Sequence, residues 1–324
     1  LDMSKFLLQS APGVVSDSVV IVGGALTVTA RNQITVPLQP NDLNAIKANR
    51  ALAIDSTSTF ISVVTEGIYD YTDYTGVNGV VPIATSSPLQ VDVFTADGVD
   101  PELVAFGLNM TSGVLTLSYS ETVDAVRVAP TSFSLQGGAT GTGTRIALDG
   151  GEISSVDDTV TFITITHADM NLIKQDITIA TSNDSTFLTF PSDAVRDTTG
   201  NRIVAVPVNN AIQASLFSPD VTSPEVVSYG LNMNSGVLTI SFSETVNGSS
   251  VQVEHIAMQA VADVTDDDES GSGDGSSSGD QPSSVRLTTS TPALVFSDSI
   301  AITLSLADLN ELKRLQIANA VLTT

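Results

Sequence analysis

The chain has 324 residues, 36 of them acidic against 12 basic, for a net charge of −24. A field of that sign repels phosphate backbones and argues against nucleic-acid binding. There is no cysteine, which excludes disulfides and thiolate metal sites, and no apolar run approaches the ~20 residues a membrane span needs.

Apolar residues make up 42% of the chain but aromatics only 5%, with no Trp. Cores must therefore be filled by Val, Ile, Leu, Ala and Thr, which suit pleated, half-buried surfaces. The opening "LDMSKFLLQS" has no basic segment followed by a long apolar one, so it does not read as a signal peptide. Short strands are expected at "FLLQ" (6–9), "VVIV" (19–22) and "LTVT" (26–29). "DLNAIK" (42–47) follows and reads as a short helix crossing between sheets. In that reading Asp42 is the N-cap, Ile46 packs inward and Lys47 sits near the C-terminus, where a cation is favoured. The segment "YDYTDYTGVNG" (69–79) then leads to a Pro-stiffened linker, "FTADGVDPE" (94–102).

Beyond the linker, "GLNMTSGVLTLSYSETVD" (107–124) alternates, with Leu115, Leu117 and Tyr119 on one face. Strands are expected again at "FSLQ" (133–136), "TVTFITI" (159–165), "TFLTF" (186–190) and "RIVAVPV" (202–208), with "DMNLIK" (169–174) as a second helix. A second linker, "FSPDVTSPE" (217–225), precedes "GLNMNSGVLTISFSETVN" (230–247), "IAMQ" (256–259), "SIAITLSL" (299–306) and a third helix, "DLNELK" (308–313).

The spacings expose a repeat. Asn109 to Gln136 and Asn232 to Gln259 are both 27 residues, and Gln9 to Asp42 and Gln136 to Asp169 are both 33. Gln259 to Asp308 is 49, the excess falling in a low-complexity acidic Gly/Ser loop, 263–284. The expected organisation is three copies: 1–97 lacking its opening strands, 98–220 complete, and 221–324 lacking its closing strands. Seven or so strands per copy read as an all-β chain of tandem β-sandwiches. Sheet edges left open in the terminal copies are expected to pair with a further repeat, in the same polypeptide or in a neighbouring chain.

"LTISFSETVNGSS" (238–250) and "DAVRDTTGNRIV" (193–204) resemble bacterial Ig-like domains of the S-layer type, which pair an F-S-E-x-V strand end with a later D-x-x-G-N turn. The resemblance implies tandem Ig-like domains in secreted or cell-surface proteins, as in similar arrays of algae and protists. It implies an extracellular structural role as spacer, filament or surface-layer subunit, with copies of itself or further repeats as partners. An adhesin that grips glycan or a cell surface through its non-repeated loops, and an accessory segment of a secreted enzyme, stand as alternatives.

No catalytic constellation emerges. The two histidines, His167 and His255, do not recur between copies, and neither G-x-S-x-G, a Walker-type loop nor H-E-x-x-H is present. The chain is therefore expected not to be an enzyme and to require no cofactor. Hard oxygen ligands do gather near the joints: Asp97, Glu102, Glu121, Asp197, Asp220, Glu225 and Glu244 form a candidate Ca2+ set. Asn109, Asn183 and Asn247 open N-x-S/T sequons, which matter in a secreted eukaryotic protein.

Overall fold

The computed structural model describes residues 2–30, 33–65, 67–69, 78–260 and 284–317. The acidic loop through residue 283, and residues 70–77 of the Tyr-rich segment, lie outside the described residues. Among those described, the elements are strands with three short helices, one at each Asp-x-Asn-x-x-Lys phrase. The chain is all-β, as the alternation of apolar residues requires.

The first copy contains β1 (Phe6–Gln9), β2 (Ser18–Val20), β3 (Thr27–Ala30), β4 (Gln33–Thr35), α1 (Pro40–Ala48), β5 (Phe60–Val63) and β6 (Leu89–Gln90). Its main sheet runs β2-β1-β5-β6, with β3 and β4 forming a separate ribbon. The second copy contains β7 (Leu103–Asn109), β8 (Val114–Val123), β9 (Ser134–Gln136), β10 (Arg145–Ala147), β11 (Glu152–Ile153), β12 (Asp158–Thr164), α2 (His167–Gln175), β13 (Phe187–Thr189), β14 (Ile212–Gln213) and β15 (Leu216–Ser218). These build two sheets, β10-β9-β13-β14 and β11-β12-β8-β7-β15. The third copy contains β16 (Val226–Asn232), β17 (Val237–Asn247), β18 (Ala257–Gln259), β19 (Ser284–Arg286), β20 (Thr291–Pro292), β21 (Phe296–Thr303) and α3 (Leu306–Arg314). Here β16-β17-β21-β20 form one sheet and β18-β19 another.

The repeat is visible in the registers. Leu8 lies opposite Ile61 in the first copy, and Leu135 lies opposite Leu188 in the second. The core of the second copy sits between its sheets, where Leu115, Leu117, Leu135, Ile163 and Leu188 are fully buried and the rings of Phe133 and Phe190 stand 5.2 Å apart. In the third copy Leu238, Val285, Ile300, Ile302 and Leu312 share one core, so both sheets and α3 bury apolar surface together.

Compactness divides the chain into two units: residues 1–170 with 176–220, and 171–175 with 221–324. Helix α2 is thus shared out, His167–Met170 to the first unit and Asn171–Gln175 to the second. Among the described residues no sheet combines strands from either side of Pro101 or of Pro224.

Three sequence expectations are corrected. "RIVAVPV" is not a strand: only isolated bridges form, at Arg196–Arg202 and Phe190–Val206, and Pro207 has no N–H to extend a ladder. In "SIAITLSL" the strand stops at Thr303, because Ser305 is already the cap of α3. Nor is the Asp of the helix phrase an N-cap. Gln39 and Ser305 occupy that position, and Asp42 and Asp308 stand three residues later.

Candidate functional site: the helix junction

Each helix phrase has two faces. At 100° per residue, the Asp and the fifth-position aliphatic fall together, while the Asn and Lys fall on nearly the opposite side.

The first face looks into its own copy. Ile46, Ile173 and Leu312 are buried there, as the pattern predicts. The buried Asp ties the helix to a stretch about twenty residues upstream. Asp42 accepts hydrogen bonds from the N–H groups of Val22 (2.9 Å) and Gly23 (2.8 Å), and from Gln39 N–H as one half of a capping box. Asp169 accepts from Asp149 N–H (3.0 Å), and Asp308 from the N–H groups of Thr288 and Thr289 and the Ser290 hydroxyl. Burial pulls the Asp42 carboxyl upward, but its three N–H donors outweigh that and hold it below the usual carboxylate range. Asp308 is lowered further, because the hydroxyls of Ser290, Thr288 and Ser305 overcome the same burial.

The second face grips the Ser-Glu-Thr end of a following strand. In the first unit, Thr122 N–H donates to Asn44 Oδ1 (3.3 Å), and the Thr122 hydroxyl donates to the Asn44 carbonyl (3.1 Å). Lys47 Nζ donates to Glu121 Oε2 and pairs with Asp97 at 2.8 Å. In the second unit, the Thr245 hydroxyl donates to Asn171 Oδ1 (3.0 Å), Lys174 donates to Glu244, and Asn171 Nδ2 donates to Asp298 (2.9 Å). The third phrase presents the same pair, Asn310 and Lys313, and both are exposed.

Arg50 adds a clamp to the first junction, reaching Asp157 at 2.6 Å and Asp124 at 2.5 Å. Its position is taken by Ile177 in the second copy and Gln316 in the third, so this clamp is not part of the repeated design.

Of the candidate metal ligands, Asp97, Glu121 and Asp197 come together, each offering an oxygen within 4.8 Å of the others. Lys47 pairs with two of the three, so an ammonium already supplies positive charge among these oxygens. Asp197 spends its carboxylate on its own turn: Oδ1 accepts from the N–H groups of Thr199, Gly200 and Asn201, and Oδ2 from Asn201 Nδ2. Gly200 at φ +103° permits that turn, and Asn201 Nδ2 also reaches the Asp97 carbonyl at 3.3 Å. Burial raises the Glu121 carboxyl, and the nearby Asp97 and Asp197 charges add to this against the opposing Lys47. Burial would also raise Asp97, but Lys47 and the Val99 N–H hold it low. Lys47 is held above the usual lysine range: burial opposes its charge, and Asp97 and Glu121 more than compensate.

The remaining candidates lie elsewhere. Glu102 and Glu225 are exposed, and their backbones pair with Ser120 and Ser243. Glu244 belongs to the second unit with Lys174, and Asp220 closes the first unit. Asn109 uses Oδ1 to accept from Thr111 and Ser112 N–H, the same turn that Asn232 makes without a sequon. Asn247 caps a short turn by accepting from Ser249 N–H, and Asn183 is exposed. Sequence reasoning missed Lys47, Asn44 and Thr122 as a set. Their signal was the joint recurrence of the Asn-x-x-Lys and Ser-Glu-Thr phrases.

No family model and no curated protein matches the chain. Among solved structures, it is similar to a crystal structure of the S-layer protein rSbsC, with 14% identity, a TM-score of 0.25 and 44% of this chain covered. The N-terminal part of the bacterial S-layer protein SbsC and domains 1–6 of that surface layer protein give 14% identity and TM-scores of 0.26. The match spans 18% to 31% of the length of those chains.

Proposed function

We propose that this chain is a structural protein of tandem β-sandwich copies whose first joint is fixed by the two-faced helix α1, serving as a spacer or as a filament or surface-layer subunit outside the cell. One observation carries the reading. The Asn and Lys of one copy's helix engage the Glu and Thr at the end of the next copy's long strand, in the same chemistry at two places. A hydrogen-bonded, partly buried ion pair holds an angle better than a bare Pro linker does. Residues of a catalytic site have no cause to recur at every joint, so the reading assigns no enzymatic role.

Calcium is not required in this reading. The three carboxylates suit a hard cation by ligand type, but Lys47 already balances part of their charge. No described helix is long and apolar enough to cross a membrane.

The test is the distance distribution between spin labels placed on β2 and β11 of the full chain. A narrow distribution that broadens in an Asn44→Ala, Lys47→Met, Arg50→Ala variant supports a fixed joint. An equally narrow distribution in the variant overturns it. Saturable binding on a glycan array would move the reading to an adhesin.

A further inference from the structure

Three of the chain's 12 basic residues surround one turn of the second copy, residues 197–201, in a molecule of net charge −24. Arg196 and Arg202 flank the turn as an antiparallel bridge pair. The bonds on either side of them run from Asp197 N–H to the Asn201 carbonyl (3.0 Å) and from Ile203 N–H to the Val195 carbonyl (3.1 Å), which makes the pair a non-hydrogen-bonded one. In such a pair the Cα atoms stand about 4.5 Å apart and the side chains leave side by side on one face. Arg196 Nη1 donates to the Gly200 carbonyl at 3.1 Å. Arg127 reaches the same glycine from another segment, its Nη1 lying 3.6 Å from where a Cβ on Gly200 would stand.

Like charges set directly opposite each other destabilise a strand pair, so the arrangement costs the fold unless an anion offsets it. The protein itself offsets little. Arg127 Nε pairs with Asp124 at 3.1 Å, but Asp124 is shared with Arg50. Asp197 is fully buried and spends its carboxylate on the N–H groups of its own turn. Among the described residues neither Arg196 nor Arg202 has an ion-pair partner. The cluster is also singular. Ser250 takes the place of Arg127 in the third copy, and the 69–79 segment that replaces the turn in the first copy holds no Lys or Arg. The architecture common to the copies therefore does not call for it.

We propose that Arg127, Arg196 and Arg202 form an oxyanion site that takes one carboxylate or sulfate group of a small ligand such as an acidic sugar. A guanidinium fork offers paired N–H donors to two oxygens of such a group, and Arg127 and Arg202 are exposed to receive it. The surrounding negative field selects against a polyanion, whereas a single acidic group meets mainly the three local cations. The site goes beyond the structural reading above, and a fixed joint neither requires it nor follows from it.

The test is a titration of the full chain followed at the arginine Nε–H NMR signals. Sodium glucuronate and sodium sulfate are compared with sodium chloride at equal ionic strength, and glucose serves as the neutral control. Glucuronate or sulfate should shift the signals of Arg127, Arg196 and Arg202 saturably, and the tighter of the two tells carboxylate from sulfate. Chloride and glucose should leave those signals in place. Arg202→Gln should weaken the binding at least about tenfold, because hydrogen bonds to a charged group are the strong ones. In chloride alone the same variant should melt no lower than the native chain, since it relieves the like-charge pair. Shifts that do not saturate, or that chloride reproduces, overturn the site. So does binding that Arg202→Gln leaves unchanged. A lower melting temperature of Arg202→Gln in chloride overturns it as well, by assigning the arginine to the fold.

Discussion

Lys47 is the residue on which the first junction turns. Its ammonium faces Asp97 and Glu121, with Asp197 close by. Replacing it with Met keeps the stem and removes the charge. Asp97 and Glu121 are then left without their cation, and breaking a buried pair by removing one partner costs about 3–5 kcal/mol. Because Lys47 is 16% exposed, the lower end is expected: about 3 kcal/mol lost in urea unfolding of Lys47→Met. Added Ca2+ should restore part of that loss in the variant and leave the native chain unmoved. The acid response has a definite sign as well. Asp42, Asp97 and Asp308 are held below the unfolded value, so their contribution is complete above about pH 4. It is lost as pH falls through their folded values. Glu121 is raised and works the other way, gaining relative stability as pH falls through its folded value. Unfolding free energy measured from pH 7 to pH 2 should therefore fall below pH 4, and Asp308→Asn should flatten that fall.

At the scale of the element, α1 is a connector with one face for each neighbour. Its own-copy face is held by burial and by the Asp bonds; its outward face relies on the Asn and Lys contacts. Losing a hydrogen bond at a partly buried site costs about 1 kcal/mol. A double-mutant cycle of Asn171→Ala with Thr245→Val should show a coupling of about that size, because the Thr245 hydroxyl donates to the Asn171 side chain. The cycle of Asn44→Ala with Thr122→Val should be closer to additive, because each of those side chains bonds the other's backbone. No coupling between Asn171 and Thr245 would mean that this contact does not hold the helix to the strand end.

Across the whole molecule, the copies share strand registers but not completeness of cover. Leu135 is fully buried, and its deletion to Ala should cost about 2–5 kcal/mol through lost transfer energy and a cavity. Leu8 occupies the same register but is only half-buried, so Leu8→Ala should cost less, about 1 kcal/mol. Amide exchange should likewise be faster at β1 and β5 than at β9 and β13, because protection follows the density of buried contacts. Equal protection in the two sheets would show that the first copy packs as densely as the second.

The sequence by itself determined the all-β class, the repeated order of strands and a short helix at each Asp-x-Asn-x-x-Lys phrase. Each of these follows from local periodicity, as in Leu115, Leu117 and Tyr119, or from two copies printed in one chain. It also separated Asp42 and Ile46 from Asn44 and Lys47 by helical angle. It did not say what the second pair touches. Glu121 lies 74 residues from Lys47, and Asp197 is another 76 beyond, so only folding brings the three carboxylates to one point. The Asp was misread as a cap because helix-start chemistry is local, whereas its true partners, Val22 and Gly23, lie across the core. The depth of burial was hidden for a related reason. Phe6 and Phe133 are the same letter in the same phrase, yet Phe133 is fully buried and Phe6 only half, because burial depends on the side chains packed over each ring, which the phrase itself does not carry.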